Sequence, residues 1–224
     1  MKEFLVIAPH VDDEALGCGG VIDERFHVHY SGVEDHHEVP RDERLEEAGA
    51  CAALLGFSFT VDLDTTVNAY EVPALVGRIE RLVSEVRPHT VLVPYPSYNQ
   101  DHRAVLDAAL TALRPHDRNP FVPNVLVYEQ VQVGVWPYRE DLLGGRTFHP
   151  QLYAPIDVQR KIAAYRCHRS QMREMRSVAA VVALAERRGR ESGHEHAEAF
   201  QVARMCEPTV LDLGRRAVGG AGDE

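Results

Sequence analysis

Cysteine is scarce in this chain of 224 residues, and the four cysteines that occur are widely scattered. Because Cys18, Cys51, Cys167 and Cys206 form no CxxC pair, their spacing indicates neither a zinc ribbon nor a disulfide framework. Buried or free thiols in a reducing compartment are the expectation. The N-terminus enters a core strand without the charged and apolar regions of a signal peptide, so the sequence predicts a cytoplasmic protein.

Positive charge is also in short supply, with 24 Lys and Arg against 34 Asp and Glu and a net charge of −10. We therefore expect no nucleic-acid partner, and no docking on anionic membranes. No apolar run approaches the about 18 residues of a membrane-spanning helix, so no span is expected. The glycine fingerprints GxxxxGK[ST] and GxGxxG are absent, which disfavours a nucleotide-dependent enzyme of the Rossmann type.

What the chain does contain is an alternation of apolar runs with helical patterns. Strands are predicted at residues 4–8, 26–31, 57–63, 90–95, 125–131 and 148–156. Helices are predicted at 14–23, 40–55, 72–86, 157–167 and 177–188, with one more that opens within 96–103 and runs to 113. Residues 187–193 are predicted to form a basic, glycine-broken loop.

This alternation predicts parallel βαβ units with right-handed crossovers. The expected fold is a single-domain, Rossmann-like α/β fold, whose mostly parallel sheet is flanked by helices on both faces. The domain is expected to span residues 1–213, with a flexible polar tail at 214–224. The irregular stretch 132–147 is expected to form a lid or recognition loop, in which Trp136 and Tyr138 either stack on a sugar or pack under the loop.

Four ionisable residues follow the first strand directly, in the order His10, Asp12, Asp13 and Glu14. Open α/β sheets place their sites at this carboxyl edge. His10 and Asp13 can converge there as ligands of a divalent metal of the zinc type, with Asp12 beside it as a general base. The alternative is that the aspartates cap the next helix and His10 is a turn residue.

A second cluster follows the fourth strand. His102 lies there at a strand's carboxyl end, as His10 does, and is the best candidate for a third ligand. A set of His10, Asp13 and His102 leaves an open position for water, as hydrolytic zinc sites require. Asp101 is expected either to orient a ligand or to cap the helix.

The segment Ala8–Gly20 resembles the PHPDDE signature of the LmbE/PIG-L superfamily, zinc-dependent N-deacetylases that act mostly on N-acetylglucosaminyl conjugates. The resemblance implies zinc binding by the first His and the second Asp of the signature, and a general base at its first Asp. Residues 99–102 resemble the family's HPDH element, whose last His binds zinc. The first His of that element, often assigned as general acid or oxyanion stabiliser, is Asn99 here.

Asn99 can donate a hydrogen bond to an oxyanion but cannot shuttle a proton. The general acid therefore stays open between Asp12, acting in both proton transfers, and a histidine: His36, His37 or His168.

Two further elements resemble family motifs. Arg44-x-x-Glu47 followed by Leu-Gly resembles an R-x-x-E…LG element, which implies a substrate-binding or supporting Arg44; the alternative is a surface ion pair worth about 0.2–0.5 kcal/mol. The pattern around His168-x-Ser170-Gln171 resembles a K…A…H.SQ element, which implies a substrate-side role for His168.

The resemblance implies a metal-dependent hydrolase that removes an N-acetyl group from an amino-sugar conjugate, with Asp12 as general base and a water activated at the metal. Zn²⁺ is the expected ion, and Fe²⁺ suits the same ligands. Two alternatives remain open: an amidase acting on a non-sugar conjugate, and a catalytically weakened carbohydrate- or metal-binding module, which Asn99 suggests. The expected partner is a small N-acylated molecule, and the sequence is compatible with a homo-oligomer.

Overall fold

A computed structural model describes residues 2–116, 119–131 and 148–207 of the chain. The strands in these ranges are β1 (Phe4–Ala8), β2 (Phe26–Tyr30), β3 (Ser58–Val61), β4 (Thr90–Pro94), β5 (Asn124–Tyr128), β6 (Leu152–Pro155) and β7 (Ala197–Met205). The helices are α1 (Asp13–Cys18), α2 (Arg41–Leu55), α3 (Val72–Val86), α4 (Gln100–Ala112), α5 (Val158–Tyr165) and α6 (Val178–Ser192). The expectations for Trp136, Tyr138 and the tail at 214–224 lie outside the described residues.

The strands join into one sheet in the order β3-β2-β1-β4-β5-β7-β6. The first five strands in this order, from β3 through β1 to β5, pair in parallel. Strand β7 runs antiparallel to both β5 and β6. The prediction of a mostly parallel α/β sheet is therefore confirmed.

Every residue of β1 is buried, because helices cover both faces of the sheet. Phe4, Val6 and Ala8 belong to the core that packs under α1, α2, α5 and α6. Leu5 and Ile7 point the other way, into the core that α3 and α4 cover. The continuous apolar run of the first strand is thus explained by alternate residues that serve two cores.

The C-terminal part of the described chain differs from expectation. Residues 187–193 are not a loop: α6 continues to Ser192 and ends at Gly193, which takes the left-handed conformation at φ 78°. Ion pairs of Arg187 and Arg188 with Glu191 stabilise this last part of the helix. Strand β7 was not predicted, because only its first half, Ala197–Phe200, is buried and apolar enough to give a strand signal.

The positions of β1 and β4 in the sheet create a crevice in which a functional site can form. They are neighbours in the sheet, but the chain leaves β1 towards β2 on one side and leaves β4 towards β5 on the other. Connections that diverge in this way open a crevice at the carboxyl ends of the two strands. No helix in the described ranges is both long and apolar enough to cross a membrane.

Candidate active site

His10, Asp13 and His102 come together in this crevice. The loop after β1 and the first turn of α1 supply His10 and Asp13, and the first turn of α4 supplies His102. Their ligand atoms all lie within 4.8 Å of one another. Asp13 Oδ2 is 3.5 Å from His102 Nε2 and 3.7 Å from His10 Nδ1. All three side chains are buried.

A buried carboxylate orients His10. Nε2 of His10 lies 2.9 Å from Oδ2 of Asp101, so the ring donates through Nε2 to this acceptor and keeps the lone pair on Nδ1, the atom on the side of Asp13. The backbone N–H of Asn68 donates to the same carboxylate oxygen at 2.7 Å. Asp101 is fully buried, and its placement is that of a residue that orients a metal-binding imidazole.

The other two members of the cluster also suit a metal. Burial is the main cause that lowers the pKa of His102 to about 3, so that its ring is neutral. Its Nδ1 has no hydrogen-bond partner among the described residues. Asp13 Oδ1 accepts from Nε2 of Gln130 at 2.6 Å, which fixes the carboxylate. Two imidazoles and a carboxylate with such supports fit a divalent ion of the zinc type.

Asp12 sits beside the cluster in a strained conformation. Its φ of 133° is unusual for a residue with a side chain, and such strain persists only where neighbours enforce it. Burial and the adjacent charge of Asp13 raise the pKa of Asp12 to about 6, which Arg176 and other cations oppose. Arg176 Nη1 lies 3.0 Å from Oδ2 of Asp12.

The peptide between Val11 and Asp12 is held from both of its ends. Its N–H, on Asp12, donates to Glu14 Oε2 at 3.2 Å. Its carbonyl oxygen, on Val11, accepts from Nη2 of Arg44. Arg44 is in turn paired with Glu47 at 2.8 Å, and Glu14 Oε1 lies 2.7 Å from Nε2 of His168.

Arg44 and His168 were expected to contact substrate, but their side chains are bound mainly by other residues of the protein. Arg44 does line the cavity next to the possible metal ligands, but its hydrogen bonds go to Glu47, Ser170 and the Val11 carbonyl. His168 is 0% exposed and faces Glu14 instead of the cavity. Both are placed to support the backbone that carries Asp12.

The cavity beside the cluster is small and polar. Its volume is about 90 Å³, and it is lined by His10, Asp12, Asp13, Glu34, Arg44, Tyr98, Asn99, His102, Gln171 and Arg176. A wider cleft of about 590 Å³ shares Glu34 and Gln171 with it and is lined by residues 33–36, 38, 39, 41 and 63–68 with Gln171 and Arg173. The cleft and the small cavity therefore adjoin each other.

Asn99 lines the small cavity and also caps a helix. Its Oδ1 accepts from the backbone N–H of Asp101 at 2.8 Å, as the N-cap of α4. The amide –NH₂ group is left as the donor. Of the histidines considered as acid, His36 lines the wider cleft, and the His37 side chain is 79% exposed.

The sequence did not point to Gln130 or Arg176, the residues whose side chains contact Asp13 and Asp12. Gln130 follows β5, and a polar residue at a strand's carboxyl end was the signal that could have found it. Arg176 ends a short 3₁₀ turn, Glu174–Arg176, and no pattern in the sequence distinguishes it from the neighbouring arginines.

Comparison with known proteins identifies the group to which this site belongs. The family model described as "PIG-L: GlcNAc-PI de-N-acetylase" matches residues 5–113, which include His10, Asp13 and His102. A Bacillus cereus protein named "Probable N-acetyl-alpha-D-glucosaminyl L-malate deacetylase 2" is 26% identical, in a match that covers 78% of this chain and 86% of that protein.

Solved structures share the fold. GalB, the 4-carboxy-2-hydroxymuconate hydratase of Pseudomonas putida KT2440, is 22% identical with a TM-score of 0.72, over 91% of this chain and 96% of that one. The N,N'-diacetylchitobiose deacetylase of Pyrococcus horikoshii is 19% identical with a TM-score of 0.66, over 90% and 83% of the two chains. The signature, the arrangement around it and the family match agree, and the chain carries a PIG-L family domain.

Proposed function

We propose that this protein is a metal-dependent hydrolase that removes the N-acetyl group of an amino-sugar conjugate. The observation that carries the proposal is the placement of Asp12, whose carboxyl group lines a small polar cavity next to the cluster of His10, Asp13 and His102. A strained backbone and dedicated contacts on both ends of its peptide hold Asp12 there. A carboxylate that is held by a strained backbone and several contacts is typical of a general base.

His10, Asp13 and His102 would hold the divalent ion. When bound, such an ion lowers the pKa of a water molecule to roughly 7 and polarises a carbonyl group as a Lewis acid. Zn²⁺ is the ion that we expect first, and Fe²⁺ suits the same ligands.

The chain's own residues then move the proton. Asp12 takes a proton from the water molecule while the oxygen of the water attacks the acyl carbon. The amide group of Asn99 donates a hydrogen bond to the oxyanion that develops on the acyl group. Asp12 then gives the proton to the nitrogen of the departing amine as the C–N bond breaks. Acetate and a free amine are the products. Because an amide cannot exchange its proton in this way, Asn99 takes no part in the proton transfer.

The shapes of the two cavities support the choice of substrate. The 90 Å³ cavity has room for a small acyl group, and its lining offers no aliphatic wall for a long acyl chain. The 590 Å³ cleft is lined largely by polar side chains, including Thr65, Thr66 and Asn68, which suit the hydroxyl groups of a sugar. The Bacillus relative and the Pyrococcus structure are both named as deacetylases of N-acetylated sugars.

The test is acetate release from a panel of acylated amines by the zinc-loaded protein, beside its Asp12→Asn variant. The proposal expects the highest kcat/KM for N-acetylglucosamine conjugates, and lower values both for simple N-acetyl amines and for longer acyl groups. Equal or better turnover of simple N-acetyl amines would favour the amidase alternative. No acetate release from any member of the panel would refute the proposal.

A second candidate is a binding module of weakened activity, which the neutral Asn99 favours. The discriminating variant is Asn99→His. A gain in turnover of a hundredfold or more over a near-inactive wild type would favour the second candidate, whereas an active wild type with little gain in the variant would exclude it.

A further inference from the structure

Arg176 reaches the carboxylate of Asp12 from a part of the chain that the signature motifs do not include. Its Nη1 lies 3.0 Å from Oδ2 of Asp12, and its Nη2 donates to the side-chain oxygen of Gln171 at 3.4 Å. The guanidinium group also lines the small cavity, together with Asp12, Asn99 and Gln171. It is therefore both a partner of Asp12 and part of the surface that a bound substrate meets.

The backbone that carries Arg176 is anchored. The hydroxyl group of Tyr165, at the end of α5, donates to the carbonyl oxygen of Arg176 at 2.6 Å and to that of Gln171 at 3.2 Å. Tyr165 is fully buried, so that this hydrogen-bonded link fixes the 3₁₀ turn to the core. An arginine that extends from an anchored turn holds its partner in one place more firmly than an arginine on a free loop.

The other arginine in the lining cannot do this for Asp12. The hydrogen bonds of Arg44 go to Glu47, Ser170 and the carbonyl oxygen of Val11, so this residue supports the backbone of Asp12 rather than its carboxyl group. Asn99 is neutral. Among the described residues that line the cavity, Arg176 is the arginine that meets the carboxylate itself.

We propose that Arg176 is the positioning residue of the general base in this chain: it holds Oδ2 of Asp12, leaves Oδ1 as the oxygen that takes and returns the proton, and places a fixed positive charge beside the two adjacent carboxylates. Asp12 and Asp13 are like charges side by side, and a nearby cation reduces their repulsion. A guanidinium group does not give up its proton in proteins, so Arg176 acts as a charge and a guide, not as an acid.

The activity readout of this inference rests on the proposed function, and it uses the metal-loaded protein. We expect Arg176→Ala to lower kcat about a hundredfold, the scale of losing one preorganised charged contact at an active site. KM is expected to stay within about threefold and the metal content to stay at the wild-type level, because in the described part of the chain the hydrogen bonds of Arg176 go to Asp12 and Gln171 and not to His10, Asp13 or His102. Arg176→Lys should keep part of the activity, and added methylguanidinium should restore part of the turnover of Arg176→Ala but not of Asp12→Asn.

The matched control is Arg169→Ala, which removes an exposed arginine from the 3₁₀ turn Arg169–Gln171 and should leave kcat unchanged. An unchanged kcat in Arg176→Ala would overturn the inference. So would a rise in KM at constant kcat, because that result assigns Arg176 to substrate binding instead of to Asp12. Loss of metal in Arg176→Ala would overturn it as well, since the effect would then be on the cluster.

A second readout does not depend on turnover. Urea unfolding of the metal-free wild type, Arg176→Ala, Asp12→Asn and the double variant measures whether the two residues interact. We expect the folding equilibrium constant of the double variant to differ at least threefold from the value that additive single effects give. Such coupling in a protein that hydrolyses no acylated amine would refute the proposed function and keep the contact. Additive effects would refute the contact.

Discussion

Nε2 of His168 lies 2.7 Å from Oε1 of Glu14, although the two residues are 154 positions apart in the chain. Both side chains are fully buried. Burial opposes both charges, but their mutual attraction raises the pKa of His168 and lowers the pKa of Glu14. Both shifts favour the ionised pair, and the Glu14 carboxylate accepts the backbone N–H of Asp12 through Oε2.

This pair and Arg44 act on the same peptide. Glu14 accepts the N–H of this peptide and Arg44 donates to its carbonyl oxygen on Val11. The two contacts fix the orientation of the Val11–Asp12 peptide plane, and this orientation determines φ of Asp12. The elements around Arg44 and His168 are far apart in sequence, but both support the peptide that precedes Asp12, Arg44 directly and His168 through Glu14. This is a supporting role, in which neither residue needs to touch substrate.

Breaking the buried pair should be costly. We expect His168→Gln to lower the free energy of unfolding by about 3–5 kcal/mol, because it leaves the Glu14 carboxylate buried without a countercharge. The measurement is urea unfolding of the metal-free protein. The double variant Glu14→Gln/His168→Gln removes both charges and should cost less than the sum of the two single changes. A His168→Gln variant as stable as the wild type would show that the pair is not ionised.

Replacing Asp12 should lower turnover without lowering metal content, unlike replacing one of the proposed metal ligands. We expect Asp12→Asn to reduce turnover by about 10²–10⁴-fold, because the amide cannot accept the proton, with the metal content unchanged. Elemental analysis and acetate release on the same preparation give both values. Substantial residual turnover would contradict the assignment of Asp12 as general base, and loss of metal would make it part of the cluster.

The metal content of a His102→Ala variant tests the proposed metal site. We expect near one equivalent of divalent metal per chain in the wild type, and its loss in His102→Ala, because a carboxylate and one imidazole hold zinc poorly. His27→Ala is the control, since this histidine lies on β2 and contacts Ser58 and Thr60 instead of the cluster. A wild type that takes up no metal even when zinc is offered would contradict the site.

The sequence predicts those parts of the fold and site that depend on local pattern. The apolar run of β1 and the polar residues just after β1 and β4 were enough to place His10, Asp13 and His102 at one edge of a parallel sheet, and the structure brings them together. The contact of Arg176 with Asp12 was not predictable, because an irregular turn has no periodicity that fixes where its side chains point.

The same limit applies to β7. Its pairing with β5 and β6 depends on long-range partners, and its second half is polar enough to resemble a loop. Local pattern therefore gives the parallel part of the sheet, and the long-range contacts complete it.

The glycines that follow the signature give a final prediction. Gly17 lets α1 pack closely against the sheet, because a Cβ at this position would clash with Cδ2 of the Tyr128 ring. The ring cannot easily yield, because its hydroxyl group donates to the carbonyl oxygen of Ile7 at 3.1 Å within the core. Gly17→Ala must therefore push α1, which also carries Asp13, away from the sheet.

We expect Gly17→Ala to lower the free energy of unfolding by about 1–3 kcal/mol, the usual cost of overpacking, and to reduce metal content through the displacement of Asp13. Gly49→Ala is the matched control within α2, where a new Cβ meets no atom within 4 Å. That change should instead stabilise the protein by about 0.5–1 kcal/mol, because alanine is the better helix former. Urea unfolding of the two variants should thus give shifts of opposite sign, and a shift of the same sign in both would mean that close packing of α1 is not what Gly17 provides.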